Sequence, residues 1–253
     1  MLKGLRTFQF NDGAFAEGEL LMLLGRMLGL RIVLVTVLVL VPIQAGAQSS
    51  VVDTLPPTLP LFPLQDVMLF PRVTRPLHIF EPRYRELVID ALDGDRLIGI
   101  VLLRPGYEAD YEGNPPIFSV GCVGEIVDAE ELPDGRWIIR LRGMGKFRVL
   151  KEDYSRLYRL ADVEHVPERL SKDDLVALTS RRQLLVEAFK SVVPSSQGPP
   201  SDLSDGDMVN GLAQYLVMDP LDRQNLLEAT GPADRAAALL ELFDSGRARP
   251  PGR

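Results

Sequence analysis

The chain has 253 residues, of which 46% are hydrophobic and 25% charged, as is ordinary for a folded protein of one or two domains. Its formal net charge is −7, and affinity for nucleic acid comes mainly from neutralising phosphates, so we expect no nucleic-acid partner. The single cysteine, Cys122, excludes an internal disulfide and a multi-cysteine zinc site, and its apolar neighbours predict a small buried side chain.

The first 47 residues contain the pattern of a secretory signal peptide. Arg26 and Arg31 precede an apolar run over residues 32–41, and small residues follow at 45–47. We expect cleavage between Ala47 and Gln48. The alternatives are an uncleaved membrane anchor and a buried strand.

Residues 1–25 contain acidic side chains that a short basic leader would lack, so Met27 is the predicted translation start. The signal predicts an exported chain, periplasmic or secreted, with no membrane span after cleavage. If the signal is not used, the chain would be cytoplasmic or membrane-anchored. Residues 48–57 are predicted to form a linker.

Residues 58–168 are predicted to form a β-rich domain with one helix. Leu59–Phe62 and Val67–Phe70 are expected to be short strands or extended arms, with corners at Pro63 and Pro71. Apolar residues at helical spacing predict a helix that begins at Pro82 and ends at residues 93–95.

Four further strands are predicted after this helix, over residues 97–104, 118–132, 136–150 and 157–166. Residues 132–135, Leu-Pro-Asp-Gly, have the composition of a hairpin turn. The glycines within residues 142–146 predict a β-bulge or a close approach of another backbone segment. Strands at these short intervals favour a small, partly open β-barrel.

Residues 169–246 are predicted to form a bundle of four helices. A capping box at Ser171–Asp174 starts the first helix, and residues 194–206 separate it from the second. The buried stripes are predicted to contain Leu178, Leu185, Val186 and Phe189 in the first helix and Met208, Val209, Leu212, Tyr215 and Leu216 in the second. Asp219-Pro220 and Gly231-Pro232 start the other two, and residues 247–253 are predicted to be a disordered tail.

Three blocks of the sequence resemble the stand-alone N-terminal, substrate-binding domain of the Lon protease family. They are LPLFPLQDVMLFP with HIFEPRYRELV, then VGCVGEIVDAEELPDGRWIIRLRGMGKFRVL, and finally QNLLEATGPADRAAALLEL. The resemblance spans residues 59–243 and implies an α+β fold. That fold is a PUA-like β pseudo-barrel with one inserted helix, followed by a C-terminal helical bundle. It also implies recruitment of unfolded or damaged polypeptides.

The chemistry of a complete Lon enzyme has no counterpart in the sequence. Residues 142–146, Arg-Gly-Met-Gly-Lys, lack the spacing and the hydroxyl residue of a phosphate-binding loop. Ser201 lies in a Gly-Pro-Pro-Ser context, but no lysine follows Lys190 to act as its general base. We therefore predict no catalytic residues, no cofactor and no enzymatic activity.

The other candidate residues have structural interpretations that are at least as good. His78 and Glu81 lie three residues apart, but His165 is the only other histidine, so no metal site is predicted, and His78 is expected to be packed or hydrogen-bonded beside the first helix. The acidic run 128–131 is expected to be a solvated hairpin tip, with a weak cation or partner site as the alternative. Tyr107 and Tyr111 could contact a ligand or cover the barrel mouth.

Three functions are compatible with these features. The leading hypothesis is a non-catalytic, ATP-independent module that binds unfolded or extended polypeptides. The second is an adaptor or scaffold for one folded partner, such as a protease, and the third is a small-molecule binder or hydrolase. Glu81, Arg83 and Tyr84 identify the fold rather than a site, and the sequence assigns no ligand-contacting residue.

Overall fold

The structure is a computed structural model that describes residues 55–107, 111, 113–193, 199–200 and 202–250. Its strands are β1 (Thr58–Leu64), β2 (Thr74–Ile79), β3 (Leu97–Leu102), β4 (Val120–Glu131), β5 (Trp137–Asp153) and β6 (Arg159–Val166). Its helices are α1 (Pro82–Asp93), α2 (Lys172–Val192), α3 (Asp205–Tyr215), α4 (Pro220–Glu228) and α5 (Pro232–Asp244). The predicted α+β class is confirmed. The predicted signal peptide, its cleavage site and Ser201 lie outside the described residues.

Five of the strands close into a barrel. The sheet order is β2-β5-β4-β3-β1-β6, and β5 also pairs with β6. The long strand β5 makes this closure possible, because its first half pairs with β2 and its second half with β6. β1 and β3 are parallel, whereas the other pairs are antiparallel.

The first strand contains two prolines, and the corner predicted at Pro63 is wrong. β1 continues through Pro63 to Leu64, since residues 58–61 pair with β6 and residues 61–64 pair with β3. Pro60 and Pro63 are therefore each paired with a strand on one side only. A proline costs no ladder hydrogen bond when its missing N–H lies on the unpaired side.

Val67–Phe70 forms no strand, but it contributes to the core. Met68, Leu69 and Phe70 are all buried, and the side chain of Gln214 on α3 bonds to the backbone of Met68 and Phe70. The turn at Pro71 is present, and it leads into β2, a strand that the sequence pattern did not indicate. The reason is that β2 contains Pro76 and alternates only weakly between buried and exposed residues.

The glycines of β5 confirm the predicted close approach and bulge. A Cβ at Gly143 would lie 2.0 Å from the carbonyl oxygen of Phe70, so only glycine fits there. The β4–β5 register shifts beside Gly124 and Gly143. The Leu132–Gly135 turn is also present, with Gly135 at a positive φ of 78°.

The helical segments begin where their capping residues predict. Ser171 and Asp174 form the predicted capping box of α2, Asp219 caps α4, and Pro232 is the first residue of α5. α3 begins at Asp205, so the last two residues of the predicted loop are helical, because Ser204 caps the helix. Tyr215 is 49% exposed rather than part of the buried stripe.

The predicted disordered tail is wrong for residues 247–250. Ala248 is buried, and Arg249 exchanges backbone hydrogen bonds with Val217 at 2.8 and 3.0 Å. Gly246, at a positive φ of 67°, reverses the chain after α5 and makes this contact possible. No helix within the described part of the chain is both long enough and apolar enough to cross a membrane.

Candidate functional site

A cleft of about 260 Å³ opens at one end of the barrel. Five parts of the chain form it: the end of β1, the start of α1, the end of β3, Tyr111 with residues 113–115, and the turn between β5 and β6. Four tyrosines and three arginines dominate its lining: Tyr84, Tyr111, Tyr154, Tyr158, Arg83, Arg156 and Arg159. We refer to it below as the cleft.

Two short sequence motifs place these side chains. Pro82 starts α1, so Arg83 and Tyr84 lie in the first helical turn beside the end of the barrel. The turn between β5 and β6, Tyr154–Arg159, carries the remaining aromatic and basic residues of the lining. The cleft therefore depends on the β5–β6 pairing that closes the barrel.

Glu81 organises one wall of the cleft. Its carboxylate accepts hydrogen bonds from Arg83 Nε at 3.0 Å and from the Tyr111 hydroxyl at 2.8 Å. The Arg83 guanidinium lies 4.6 Å from the ring centre of Tyr84 and 5.1 Å from that of Tyr111. Both aromatic rings therefore lie within cation–π distance of one guanidinium.

Asp90 and Glu152 hold the lining residues Arg156, Tyr158 and Arg159 in place. Asp90 accepts hydrogen bonds from Arg156 at 2.5 Å and from the Tyr158 hydroxyl at 2.6 Å. Arg159 donates to Glu152 at 2.9 Å and to the carbonyl oxygen of Pro115 at 2.6 Å. Arg159 thereby fixes the segment after Tyr111 against the barrel.

The lining carries little net charge. Each of its three arginines is paired with one carboxylate, in the pairs Arg83–Glu81, Arg156–Asp90 and Arg159–Glu152. Burial raises the pKa of Tyr84, and burial with the hydrogen bond to Asp90 raises the pKa of Tyr158 to about 12. Both phenols are therefore neutral at physiological pH, so the cleft offers aromatic surface and hydrogen bonds rather than a charge.

Apolar side chains are exposed at the rim. Leu157 is 68% exposed and Tyr154 is 49% exposed, although both line the cleft. Phe80, 60% exposed, lines an adjoining open hollow of about 430 Å³ together with Leu64, Gln65, Asp66, Glu81 and Tyr111. Tyr111 lines both the cleft and this hollow, so the two adjoin at this side chain.

The sequence pointed to only part of this site. Tyr111 lines the cleft, whereas Tyr107 borders a smaller hollow near Pro220, which adjoins the cleft at Leu103. Glu81, Arg83 and Tyr84, which identified only the fold, are in the site. Tyr154, Arg156 and Tyr158 were missed; the signal that could have found them is the dense aromatic and basic turn Tyr-Ser-Arg-Leu-Tyr-Arg.

The histidines are not brought together. His78 is exposed on β2, with its ring 6.2 Å from that of Phe80, so the expectation of a packed or hydrogen-bonded side chain is wrong. His165 is half-buried on β6. Among the described residues, no group of three or more His, Cys, Asp and Glu is placed to hold a metal ion.

Two other predictions agree with the structure. The acidic residues at the end of β4 are solvated, and Asp128 forms an exposed ion pair with Arg140. Cys122 is fully buried, and burial raises the pKa of its thiol, so it is an inert core residue.

Comparison with known families identifies the fold. The family model of the substrate-binding domain of the ATP-dependent protease La (Lon) matches residues 58–245. The chain belongs to the Lon substrate-binding domain family. The resemblance inferred from the three sequence blocks is thus confirmed, and the matched region is a substrate-recognition module.

The curated relatives are much longer than this chain. Lon protease from Cytophaga hutchinsonii is 25% identical over 218 residues, which cover 81% of this chain and 26% of the relative. Lon protease from Trichlorobacter lovleyi is 29% identical over 198 residues, which cover 75% of this chain and 24% of the relative. The chain spans about a quarter of the length of these relatives.

Two solved structures share the fold. A Lon N-terminal domain protein from Xanthomonas campestris is 26% identical with a TM-score of 0.50, and the match covers 73% of this chain and 97% of that one. The N-terminal domain of Lon protease from the Mycobacterium avium complex has a TM-score of 0.55 at 16% identity, and the match covers 74% of this chain and 98% of that one. The latter similarity concerns the fold alone.

Proposed function

We propose that this chain binds unfolded or extended polypeptides in the cleft, without ATP and without cleaving them. The observation that carries the proposal is the combination of a nearly charge-neutral, tyrosine-lined cleft with the exposed apolar rim of Leu157 and Tyr154. Family membership supports it, since the matched region is a substrate-binding domain.

The chemistry of the cleft suits a polypeptide better than a charged small molecule. Its arginines are already paired with carboxylates, so an added anion would have to displace an existing partner. Tyrosine rings offer wide contact area at low entropic cost and tolerate many side chains. An unfolded chain presents apolar side chains and backbone hydrogen-bonding groups, which suit such a surface.

The test compares a rim variant with an exposed control. Leu157→Asp places a charge on the rim, and Val176→Asp places one on α2, where Val176 is 70% exposed. Burying a leucine contributes about 1.5–3 kcal/mol, so Leu157→Asp is expected to weaken binding about tenfold or more. Binding of a labelled, permanently unfolded model protein is measured by fluorescence anisotropy, with and without ATP.

The possible outcomes distinguish polypeptide binding in the cleft from the adaptor function. Weaker binding by Leu157→Asp with unchanged binding by Val176→Asp supports the cleft as the site. Failure of the wild-type chain to bind unfolded protein contradicts the proposal. Saturable binding to one native protein, with no preference for unfolded chains, supports the adaptor function instead.

We also propose that the chain is exported, on the basis of the signal-like pattern in residues 26–47. The expected mature chain begins at Gln48. N-terminal sequencing of the protein from the periplasm or medium tests this, and a chain that retains residues 27–47 would contradict it.

A further inference from the structure

β2 is an edge strand of the barrel sheet. It pairs with β5 from Thr74 to Ile79, and no other described strand pairs with it. Its second edge, which we call the free edge, therefore lacks a neighbouring strand within the described part of the chain. An edge of this kind is a template for another strand.

The hydrogen-bond pattern shows which residues face the free edge. The N–H of Gly143 donates to the carbonyl oxygen of Val73 at 2.8 Å, and the Gly143 carbonyl oxygen accepts from the N–H of Arg72 at 2.7 Å. The Val73 carbonyl therefore points at β5, and the next pair, Thr74 with Arg142, is a non-bonded one. Antiparallel pairs alternate between bonded and non-bonded. Thr74, Pro76 and His78 therefore direct their backbone groups away from β5 and towards the free edge.

Pro76 occupies the position where a proline is tolerated. Its missing N–H lies at the free edge, so the β2–β5 ladder is intact. The free edge still presents the N–H groups of Thr74 and His78 and the carbonyl groups of all three residues. The side chains of Thr74, Pro76 and His78 are all exposed.

The hollow lined by Phe80 adjoins the end of this edge. Phe80 follows Ile79, the last residue of β2. A strand laid along the free edge would therefore arrive over the hollow formed by Phe80, Leu64 and Tyr111. Because Tyr111 also lines the cleft, the hollow lies between the free edge and the cleft, next to both.

We propose that an extended segment of a bound polypeptide adds to the free edge of β2 as a strand and places a large apolar side chain over Phe80 in the hollow. This inference rests on the proposed polypeptide-binding function and specifies how the substrate backbone is held. Backbone hydrogen bonds do not depend on side-chain identity, as binding of many different unfolded chains requires.

The hollow selects among such segments through apolar contact. Asp66, which lines it, is already attracted to Arg75 and Arg223, so its charge is offset within the chain. The occupant is an extended segment with one aromatic or large aliphatic side chain that covers the exposed Phe80.

A pair of variants at one position tests the inference. His78→Pro removes the outward N–H while leaving the β2–β5 ladder intact, as Pro76 already does two residues earlier. His78→Ala removes the side chain but keeps the N–H. The probe is a fluorescein-labelled peptide of alternating Lys and Val with one central Phe, in which Val and Phe favour the extended conformation and Lys keeps the peptide soluble.

We expect His78→Pro to weaken peptide binding by about tenfold, because a hydrogen bond is lost and its partner carbonyl is left unpaired. His78→Ala is expected to bind within about twofold of the wild-type chain, since backbone contacts carry the interaction. If the wild-type chain binds the peptide and His78→Pro binds equally well, strand addition is overturned while polypeptide binding stands. Failure of the wild-type chain to bind overturns both.

Amide hydrogen exchange supplies a readout that does not depend on the folding of the proline variant. In the wild-type chain, bound peptide is expected to slow exchange of the His78 and Thr74 amides by about tenfold or more. Unchanged exchange at both amides under saturating peptide contradicts the proposal. A concentration-dependent dimer that His78→Pro abolishes would show that a second copy of the chain occupies the edge, and would also overturn it.

Discussion

Lys146 Nζ donates a 2.6 Å hydrogen bond to the carbonyl oxygen of Ala229 and thereby joins the middle of β5 to the end of α4. The side chain is 1% exposed, and its ammonium lies 4.0 Å from the carboxylate of Glu168. Desolvation lowers the pKa of Lys146, and the attraction of Glu168 opposes that effect. This buried contact is one of the polar links between the barrel and the helices.

Replacement of Lys146 by Met is expected to destabilise the chain by about 2 kcal/mol. The variant keeps the apolar stem but leaves the Ala229 carbonyl without its donor in a partly buried position. Urea unfolding followed by far-UV circular dichroism measures the change. Lys151→Met, at an exposed position of the same strand, is the control and should stay within about 0.5 kcal/mol of the wild type.

Two glycine-to-alanine variants should have opposite effects. Gly143→Ala places a Cβ 2.0 Å from the Phe70 carbonyl oxygen. The variant should lower the free energy of unfolding by at least about 2 kcal/mol, because the backbone at residue 143 or at Phe70 must move. Gly211→Ala, inside α3 with no atom within 4 Å of the added Cβ, should stabilise by about 0.5–1 kcal/mol. Thermal and urea unfolding of both variants check this, and equal shifts in the same direction would contradict the assigned packing.

Tyr158 should make stability depend on alkaline pH. Its pKa is raised to about 12 in the folded chain, from 10.0, by burial and by the hydrogen bond to Asp90. The folded state then holds a proton that the unfolded state releases, so this stabilisation is present below pH 10 and is lost as pH rises towards 12. Unfolding free energies measured from pH 8 upwards should fall less steeply for Tyr158→Phe than for the wild type. Parallel curves for the two proteins would refute the assignment.

The capping box of α2 should stabilise the folded chain at neutral pH, and this stabilisation should weaken in acid. Ser171 holds the pKa of Asp174 below the ordinary value of 3.8, chiefly through their side-chain hydrogen bond and then through the Ser171 backbone N–H. The contribution is therefore present above pH 3.8 and is lost as pH falls through the lower folded value.

Ser171→Ala is accordingly expected to cost about 1 kcal/mol at pH 7. The difference from the wild type should shrink below pH 3.8. Ser180→Ala is the matched control, because Ser180 lies exposed within the same helix and bonds only to Ala177 in the preceding turn. A loss of stability for Ser180→Ala equal to that of Ser171→Ala would contradict a specific role of the cap.

Local signals in the sequence determined most of the elements. Pro82, Ser171 and Asp219 mark helix starts because their chemistry acts on the nearest backbone groups. The turn at Gly135 and the apolar runs of β3 and β4 are equally local. The three family blocks then determined the fold class, since they span both the barrel and the helices.

The strands and the cleft that depend on contacts between distant parts of the chain were decided only by the tertiary structure. β2 has no clear pattern of its own, and it is a strand because β5 offers it a partner. The two prolines of β1 are tolerated because β6 and β3 flank different halves of that strand. Tyr84, Tyr111 and Tyr158 meet in one cleft because the barrel closes between β5 and β6, a contact that no local sequence pattern encodes.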